Sequence, residues 1–265
     1  MTSELQRAYR ECQRIHAKHG KSYYFATRFF PKDLRYATYA LYAFFRLPDE
    51  MVDNPAGRDP KAELERFRDE WRSGVTTNPV IMAARDTFER YKIPFQYSGV
   101  FLDAMIQDTW KTTYSTYAEL EQYMYGSAAV VGLMMSHVIG FKPGALAYAE
   151  KLGYAMQLTN FLRDIREDKE KRGRVYMPQD ELARFADDHV AFMKFQIARA
   201  DALYDEANRG IPLLEARGRF AVRAASDLYR AILRKIEQQN YDVTLRARTS
   251  FVEKIFICLR AKFTV

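Results

Sequence analysis

The sequence predicts an all-α protein built as a helical bundle. In several long segments the apolar residues recur at spacings of three and four, which is the period of one face of an α-helix. No segment has a convincing alternation of apolar and polar residues, the pattern that indicates β-strands. Gly and Pro are scattered singly, and no low-complexity linker interrupts the chain. We therefore expect residues 1–265 to form one domain.

The predicted helices follow one another with short connections. They span residues 3–19, 31–53, 61–72, 79–91, 94–110, 117–139, 143–171, 187–208, 211–239 and 249–262. Gly20 ends the first helix, and Pro31, Pro79 and Pro94 stand at first turns, where a missing N–H group has no cost. Pro48 lies inside the second helix and is expected to kink it. The sixth helix begins polar and becomes wholly apolar, as expected at the centre of a bundle.

Composition limits the class of protein. Hydrophobic residues make up 48% and aromatic residues 14% of the chain, which excludes a disordered protein. The net charge of +7 fits an anionic ligand, an anionic membrane surface or nucleic acid without choosing among them. Cys12 and Cys258 form neither a metal-binding nor a disulfide pattern, and the N-terminus has no apolar signal segment, so we expect a cytoplasmic location. The longest apolar stretch, residues 128–141, is too short to span a bilayer.

A line of polar side chains runs along the helix predicted at 143–171. Gln157, Asn160, Asp164 and Asp168 follow one another at spacings of three, four and four, so they share one face. The residues between them are mostly apolar, which predicts that this face points inward. Charged side chains are seldom buried unless they are paired or hold a metal ion.

A second line of the same kind precedes it in the chain. Tyr42, Arg46, Asp49 and Asp53 are spaced by four, three and four in a helix rich in aromatic residues. A single D-x-x-x-D pair is most often just solvated, but two pairs within apolar helices point to a shared site. Magnesium ions use one or two carboxylates each, together with phosphate oxygens and water. Two facing pairs would therefore bind magnesium and diphosphate.

Basic residues near these lines have two interpretations. Lys21 and Ser22 follow Gly20 at a helix boundary, where they form either a plain turn or an anion site. Arg163 adjoins Asp164 and is predicted to bind phosphate. The other basic residues of that region are interpreted as a solvated face: Arg166, Lys169, Lys171, Arg172 and Arg174. The tail 254–263 is both basic and apolar, and it either docks as a last helix or touches a membrane surface.

The acidic motifs resemble those of the squalene and phytoene synthase family. The first reads D-E-M-V-D at 49–53, and the second reads Q-L-T-N-F-L-R-D-I-R-E-D at 157–168. The similarity continues in G-R-V-Y-M-P-Q-D-E-L at 173–182, in H-G-K-S-Y-Y-F at 19–25, and in Y-M-Y-G at 123–126. The similarity spans nearly the whole chain, and within the family the residues of these motifs are most similar to those of bacterial phytoene synthases.

This resemblance implies an isoprenoid-synthase α-fold with a central active-site cavity. It implies head-to-head joining of two prenyl diphosphates, with two geranylgeranyl diphosphates giving 15-cis-phytoene through prephytoene diphosphate. Squalene or dehydrosqualene synthesis from two farnesyl diphosphates is the alternative, and NADPH is expected only for squalene. The implied ion is Mg²⁺, with Mn²⁺ as its substitute.

The resemblance also implies roles for individual residues. The implied metal ligands are Asp49, Asp53, Asn160, Asp164 and Asp168, and the acids act in catalysis together with Tyr42 and Arg46. The implied substrate contacts are Lys21, Ser22, Phe25, Tyr42, Arg46, Tyr125, Gln157, Asn160, Arg163 and Tyr241. Among these, the rings of Phe25, Tyr42 and Tyr125 would stabilise carbocations.

Two rival functions come from other classes. A catalytically silent family member acting as a binding or assembly factor should have lost metal carboxylates, and this chain keeps all four. A nucleic-acid binder would need exposed basic clusters without an acidic pocket, so no nucleic acid is expected. The expected partners are prenyl diphosphates and a membrane surface for release of the apolar product, and the chain is expected to be a monomer or a homodimer.

Overall fold

The computed structural model describes residues 2–186 and 188–263, and within these ranges it contains helices and no β-strand. The α-helices are α1 Ser3–His19, α2 Lys21–Thr27, α3 Lys32–Asp53, α4 Pro60–Ser73, α5 Pro79–Arg90, α6 Gln96–Gln107, α7 Tyr117–Met124, α8 Val130–Ile139, α9 Ala145–Arg172, α10 Gln179–Phe185, α11 His189–Asn208, α12 Ala216–Gln238 and α13 Phe251–Lys262. A π-helical segment, Tyr125–Ala129, joins α7 to α8, and a 3₁₀ turn, Ile211–Leu213, precedes α12. The all-α prediction is confirmed.

Several helix starts follow directly from local sequence. The side chains of Asp59 and Asn78 accept hydrogen bonds from the first turns of α4 and α5, where Pro60 and Pro79 occupy the positions that need no donor. Ser250 opens α13 with a reciprocal capping box. These side-chain caps satisfy N–H groups that no helix can pair by itself.

The structure also departs from the sequence predictions. The short helices α2 and α10 were not predicted, because seven residues are too few to show a helical period. Helix α3 continues through the buried Pro48 to Asp53. Arg46 still pairs with residues three and four positions ahead, so the helical register survives the proline. Asp187, the predicted start of a helix, lies outside the described residues.

Close packing of helices surrounds the centre of the molecule. Helix α9 contacts α8, α11, α12 and the π-helical segment. A Cβ atom at Gly132 would lie 2.5 Å from the Ala149 carbonyl oxygen, and one at Gly153 would lie 2.7 Å from the Ala128 carbonyl oxygen. These two glycines therefore allow the backbone of α9 to touch α8 and the π-helical segment. The inner faces of α2, α3, α8, α9 and α12 enclose a central cavity.

Candidate active site

A central cavity of about 810 Å³ lies between these helices. One part of its wall is strongly polar and the remainder is mostly apolar. We call the first part the polar end, defined by Asp49, Asp53, Asp164 and Asp168. We call the second the apolar end, defined by Ile139, Ala145, Tyr148, Ile211 and Leu214.

Helix α9 contributes one side of the polar end. Gln157, Asn160, Asp164 and Asp168 all line the cavity, so the predicted polar line does face inward. The Asn160 amide donates to Gln157 Oε1 at 3.3 Å. The Asn160 Oδ1 atom is buried and has no hydrogen-bond partner among the described residues. An unpaired buried acceptor is costly, which indicates that this oxygen faces a ligand.

Helix α3 contributes the opposite side. Tyr42, Arg46, Asp49 and Asp53 also line the cavity. Arg46 Nη1 contacts Asp49 Oδ2 at 2.5 Å and the same guanidinium pairs with Glu50. The two acidic pairs predicted from the sequence therefore face a common space from two different helices.

Arginines from the end of α9 connect the two sides. Arg172 Nε lies 3.0 Å from Asp53 Oδ2, and Arg172 Nη1 lies 2.8 Å from Asp168 Oδ1. Arg174 Nη1 binds Asp53 Oδ1 at 2.9 Å and is 8% exposed. The interpretation of Arg172 and Arg174 as part of a solvated face was wrong. Gly173 has a φ of 65°, a left-handed turn that ends α9 and directs Arg174 back toward α3.

Asp164 is held by two arginines. Arg163 Nε and Arg246 Nε lie 2.9 Å from its Oδ1 atom. Burial acts to raise the pKa of the Asp164 carboxyl, but the bonds to Arg163 and Arg246 outweigh this and hold that pKa below its ordinary value. Arg246 belongs to the segment between α12 and α13, and no local pattern marked it in the sequence.

Asp49 and Asp168 are less well compensated than Asp164. Burial, followed by repulsion from Asp53, raises the pKa of Asp49 to about 6. Burial also raises the pKa of Asp168 to about 7, although Arg172 opposes the shift. The polar end therefore favours additional positive charge close to these two carboxyl groups.

The donor set fits a hard divalent cation. Four carboxylates and the unpaired Asn160 oxygen are the ligand type that Mg²⁺ prefers. Within residues 2–186 and 188–263, no three acidic, His or Cys side chains converge on one point as a ready metal cluster. Arginine side chains lie between the carboxylates instead, so the acids would have to exchange these partners for an ion.

Basic groups from other helices complete the polar end. Lys21 and Ser22 line the cavity at the start of α2, and Lys254 of α13 lines it nearby. Burial and then the charge of Lys21 lower the pKa of the Lys254 amine. Two amines that repel each other across a cavity form a natural place for phosphate oxygens.

Three residues predicted to contact substrate do not line the cavity. Phe25 packs on the rings of Phe29 and Phe251, in a separate small apolar cluster. Tyr241 packs against the edge of the core instead, with Lys194 Nζ 5.8 Å from its ring centroid, and its carbonyl group lies 2.9 Å from the His189 ring nitrogen. Because Tyr241 has a φ of 62°, its backbone follows a tight turn after α12.

Tyr125 is the third, and the π-helical segment explains its placement. The Val130 N–H group bonds to the Tyr125 carbonyl five residues earlier, which widens the turn. The residue that lines the cavity one turn before Ser127 and Ala128 is consequently Tyr123. The regular helix predicted over 117–139 would place Tyr125 on the cavity face instead.

Tyr123 belongs to a buried network that sequence reasoning missed. Its hydroxyl donates to Asp108 Oδ2 at 2.5 Å, and the Tyr176 hydroxyl donates to Asp108 Oδ1 at 3.3 Å. Arg174 Nη1 donates to the Tyr176 oxygen at 3.4 Å, which connects the network to Asp53. Burial raises the pKa of Asp108 to about 7. Asp108 follows α6 without a partner at helical spacing, so its role depends on contacts that only the fold creates.

Aromatic rings form the wall beyond the polar end. Tyr42 stacks on the buried His16 with ring centroids 3.9 Å apart, and Tyr23 stacks on Tyr229 at 4.4 Å. A Cβ atom at Gly20 would lie 2.7 Å from the Tyr42 ring, so only glycine fits between the ring and the backbone. Small and aliphatic side chains of α8, α9 and α12 continue the wall toward the apolar end.

Comparison with known proteins gives consistent similarities. The family described as squalene/phytoene synthase matches residues 16–253. The 15-cis-phytoene synthase of Synechococcus elongatus is 37% identical over 91% of this chain and 87% of its own length. Phytoene synthase 2, chloroplastic, of Solanum lycopersicum is 36% identical over 95% of this chain and 88% of its own length.

Solved structures show the same fold. A crystal structure of a dehydrosqualene synthase in complex with a ligand superposes with a TM-score of 0.92 at 29% identity, covering 98% of this chain and 97% of that one. The squalene synthase HpnC from Alicyclobacillus acidocaldarius superposes with a TM-score of 0.82 at 26% identity, covering 91% of this chain and 97% of that one.

Proposed function

The chain belongs to the squalene/phytoene synthase family, and from that membership we propose that it joins two geranylgeranyl diphosphates head to head to give 15-cis-phytoene, with residues 1–265 acting as one domain. One observation carries the proposal: a single cavity combines a polar end rich in carboxylates and arginines with a long apolar wall. The names of the relatives, which are phytoene synthases at 35–37% identity, favour this product.

The polar end suits two diphosphate groups and their ions. Asp49, Asp53, Asn160, Asp164 and Asp168 would hold Mg²⁺, for which Mn²⁺ can substitute. The chemistry that this ion supplies when bound is neutralisation of the negative charge that builds up on the leaving diphosphate.

The protein's own side chains do the remaining work. Arg46, Arg163 and Lys21 donate to phosphate oxygens, and Ser22 and Gln157 orient those oxygens or the water around them. Arg172, Arg174 and Arg246, which now hold the acids, are close enough to join them. Such donors stabilise the diphosphate anion as the carbon–oxygen bond breaks.

Beyond the polar end, the cavity protects reactive carbocations. Tyr42 and Tyr23 line its wall, and the ring face that is not stacked on His16 or Tyr229 can stabilise a cation by cation–π contact. Because most of the neighbouring wall is apolar, water is kept from the cation until the hydrocarbon forms.

The alternative product has a specific observation in its favour. The dehydrosqualene synthase structure superposes on nearly the whole chain, so the same fold also suits a farnesyl donor and a C30 product. NADPH would be needed only if the product were squalene. The rival of a catalytically silent binding factor is weakened because all four acids line the cavity together.

We further propose that the protein works in the cytoplasm, as a monomer or a homodimer, at a membrane surface. No helix within residues 2–186 and 188–263 is long and apolar enough to cross a membrane. Helix α13 docks on α12 and buries Cys258, so the docked interpretation of the tail is supported. Its other face exposes Val252, Phe256 and Leu259 to 59%, 68% and 53%. Arg260 and Lys262 flank this face, which suits an anionic lipid surface.

A donor-choice assay tests the proposed function. The purified protein is incubated with Mg²⁺ and each of the C15 and C20 diphosphates, with and without NADPH, and the hydrocarbons are identified by mass. Phytoene from the C20 donor without NADPH is the expected result. Reaction of only the C15 donor would assign a C30 product, and no turnover with any donor would favour the binding factor.

A further inference from the structure

The cavity is closed at its apolar end. Asp168 lies 23 positions after Ala145 in α9 and both line the cavity, so the cavity follows this helix for about 35 Å at 1.5 Å per residue. At the far end Ile139, Ile211 and Leu214 are between 5% and 6% exposed. The solvent is therefore shut out behind them.

Tyr148 is the largest side chain of that closed end. A Cβ atom at Gly210 would lie 2.2 Å from Tyr148 Cβ and 2.5 Å from its Cγ, so the side chain is packed directly against the backbone of this turn. A larger residue at position 210 would displace the ring. The contact fixes Tyr148 between α9 and the turn that precedes α12.

The backbone behind Tyr148 is firmly anchored. The Leu213 N–H group bonds to the Gly210 carbonyl at 2.9 Å, and the Lys142 N–H group bonds to the Leu213 carbonyl at 2.8 Å. The Glu215 N–H group bonds to the Gly140 carbonyl at 2.9 Å. These bonds tie the turn to the loop between α8 and α9, so the end wall cannot retreat from a longer ligand without breaking them.

We propose that Tyr148 forms the end wall of the cavity and sets the longest prenyl chain that the protein accepts, an inference that rests on the proposed function. A diphosphate held at the polar end fixes one end of the donor, and its apolar chain extends along α9. A chain that is too long meets a packed ring, and overfilling a packed site is costly. A chain that is too short does not reach the end wall, so its last CH₂ groups lose apolar contact.

The test compares donors of three lengths. Wild type, Tyr148→Ala and Tyr148→Phe are assayed with C15, C20 and C25 prenyl diphosphates, and kcat/KM is measured for each donor. In Tyr148→Ala the ratio of C25 to C20 turnover should rise by about tenfold or more, because the removed ring leaves space for the extra isoprene unit. Tyr148→Phe keeps the ring and should restore the wild-type ratio.

The outcomes separate this inference from the function on which it rests. An unchanged C25 to C20 ratio in a folded Tyr148→Ala variant that still uses the C20 donor overturns the end-wall role and leaves the proposed function intact. Wild-type protein that turns over no donor overturns the proposed function first. If Tyr148→Ala does not fold, Tyr148→Leu replaces it and should show a smaller rise in the same ratio, whereas no rise in that variant overturns the inference.

Discussion

Asp53 of α3 and Asp168 of α9 are held by one guanidinium group, that of Arg172, at 3.0 Å and 2.8 Å. Both acids belong to the proposed metal-binding set, so the arginine occupies space between ligands that would otherwise repel each other. This arrangement suggests that Arg172 compensates the acids while no ion is bound, and that the ion takes over this compensation.

Arg172→Gln should therefore destabilise the metal-free protein more than the Mg²⁺-loaded protein. We expect a loss of about 1–3 kcal/mol in the free energy of unfolding in EDTA, because charged acceptors lose a donor. The loss should shrink at saturating Mg²⁺. Urea unfolding under both conditions measures it, with Arg166→Gln as the control on the exposed side of α9, where Arg166 pairs with Glu170. Equal losses with and without Mg²⁺ would contradict the compensation role.

Removal of single carboxylates should affect rate rather than fold. Asp49→Asn and Asp164→Asn should each lower kcat by about two to three orders of magnitude, as expected when a principal stabiliser of developing charge is lost. Steady-state kinetics with the C20 donor measures this. Asp103→Asn is the matched control, because the Asp103 side chain is 68% exposed and pairs with Arg68 away from the cavity. Near-normal turnover in either variant, with an intact circular dichroism spectrum, would show that the substituted acid does not stabilise the developing charge.

The two polar lines were predictable because helical periodicity is a local property. Gln157, Asn160 and Asp164 share a face at any position of a regular helix, so their inward direction followed from the apolar residues around them. Arg246 and Asp108 were not predictable, because each reaches the site from a segment distant in sequence. Only the packing of whole helices brings such residues together.

Local irregularity caused the other errors. Because of the π-helical turn, Tyr123 and not Tyr125 lines the cavity wall. No feature of the sequence predicts the extra residue that this turn contains. Arg172 and Arg174 resemble a solvated basic run in the sequence, but Arg172 reaches Asp53 from the last turn of α9, and the left-handed turn at Gly173 directs Arg174 to the same acid. The glycine was visible in the sequence, and its use as a turn was the available clue.

Asp108 should make the stability of the protein depend on pH near neutrality. Burial raises the pKa of its carboxyl to about 7 in the folded state, above the ordinary value of an unfolded chain. A raised pKa means that the folded state binds the proton more tightly, so the stabilisation from this group is complete below about pH 4 and is lost as pH rises through 7. Asp108→Asn should remove that loss.

Denaturant unfolding from pH 5 to pH 8.5 tests this point. The difference in unfolding free energy between Asp108→Asn and wild type should move in favour of the variant as pH rises, since Asn keeps an acceptor for Tyr123 without a charge to bury. Asp103→Asn, on the exposed side of α6, should show no such trend. A difference that stays constant across this range would contradict the raised pKa.

Gly153 should be intolerant of any side chain. A Cβ atom there would lie 2.7 Å from the Ala128 carbonyl oxygen and 2.7 Å from Ala129 Cα, both of which belong to the backbone of the π-helical segment. Gly153→Ala should lower the free energy of unfolding by about 1–3 kcal/mol, as overpacking does. Gly99→Ala in α6 meets nothing within 4 Å and should be neutral or stabilising by about 0.5–1 kcal/mol. Equal effects of the two substitutions in thermal or urea unfolding would show that the close approach is not required.

The exposed face of α13 should bind anionic membranes. Val252 and Phe256 lie on this face at 59% and 68% exposure, and Arg260 and Lys262 supply positive charge beside it. Each basic residue near an anionic surface contributes about 1 kcal/mol, so Arg260→Gln with Lys262→Gln should weaken liposome binding by about ten- to thirty-fold. Val252→Ser with Phe256→Ser should weaken it through lost apolar burial.

Sedimentation with liposomes of mixed neutral and anionic lipid at several salt concentrations separates these two contributions. Binding by the wild type should fall as salt rises, because screening weakens the attraction of the basic residues. The double serine variant should bind weakly at every salt concentration. Arg10→Gln with Arg14→Gln removes the same charge from the exposed side of α1 and should leave binding near the wild-type level. Salt-resistant binding by the wild type, or equal loss in this control pair, would mean that the α13 face is not the membrane contact.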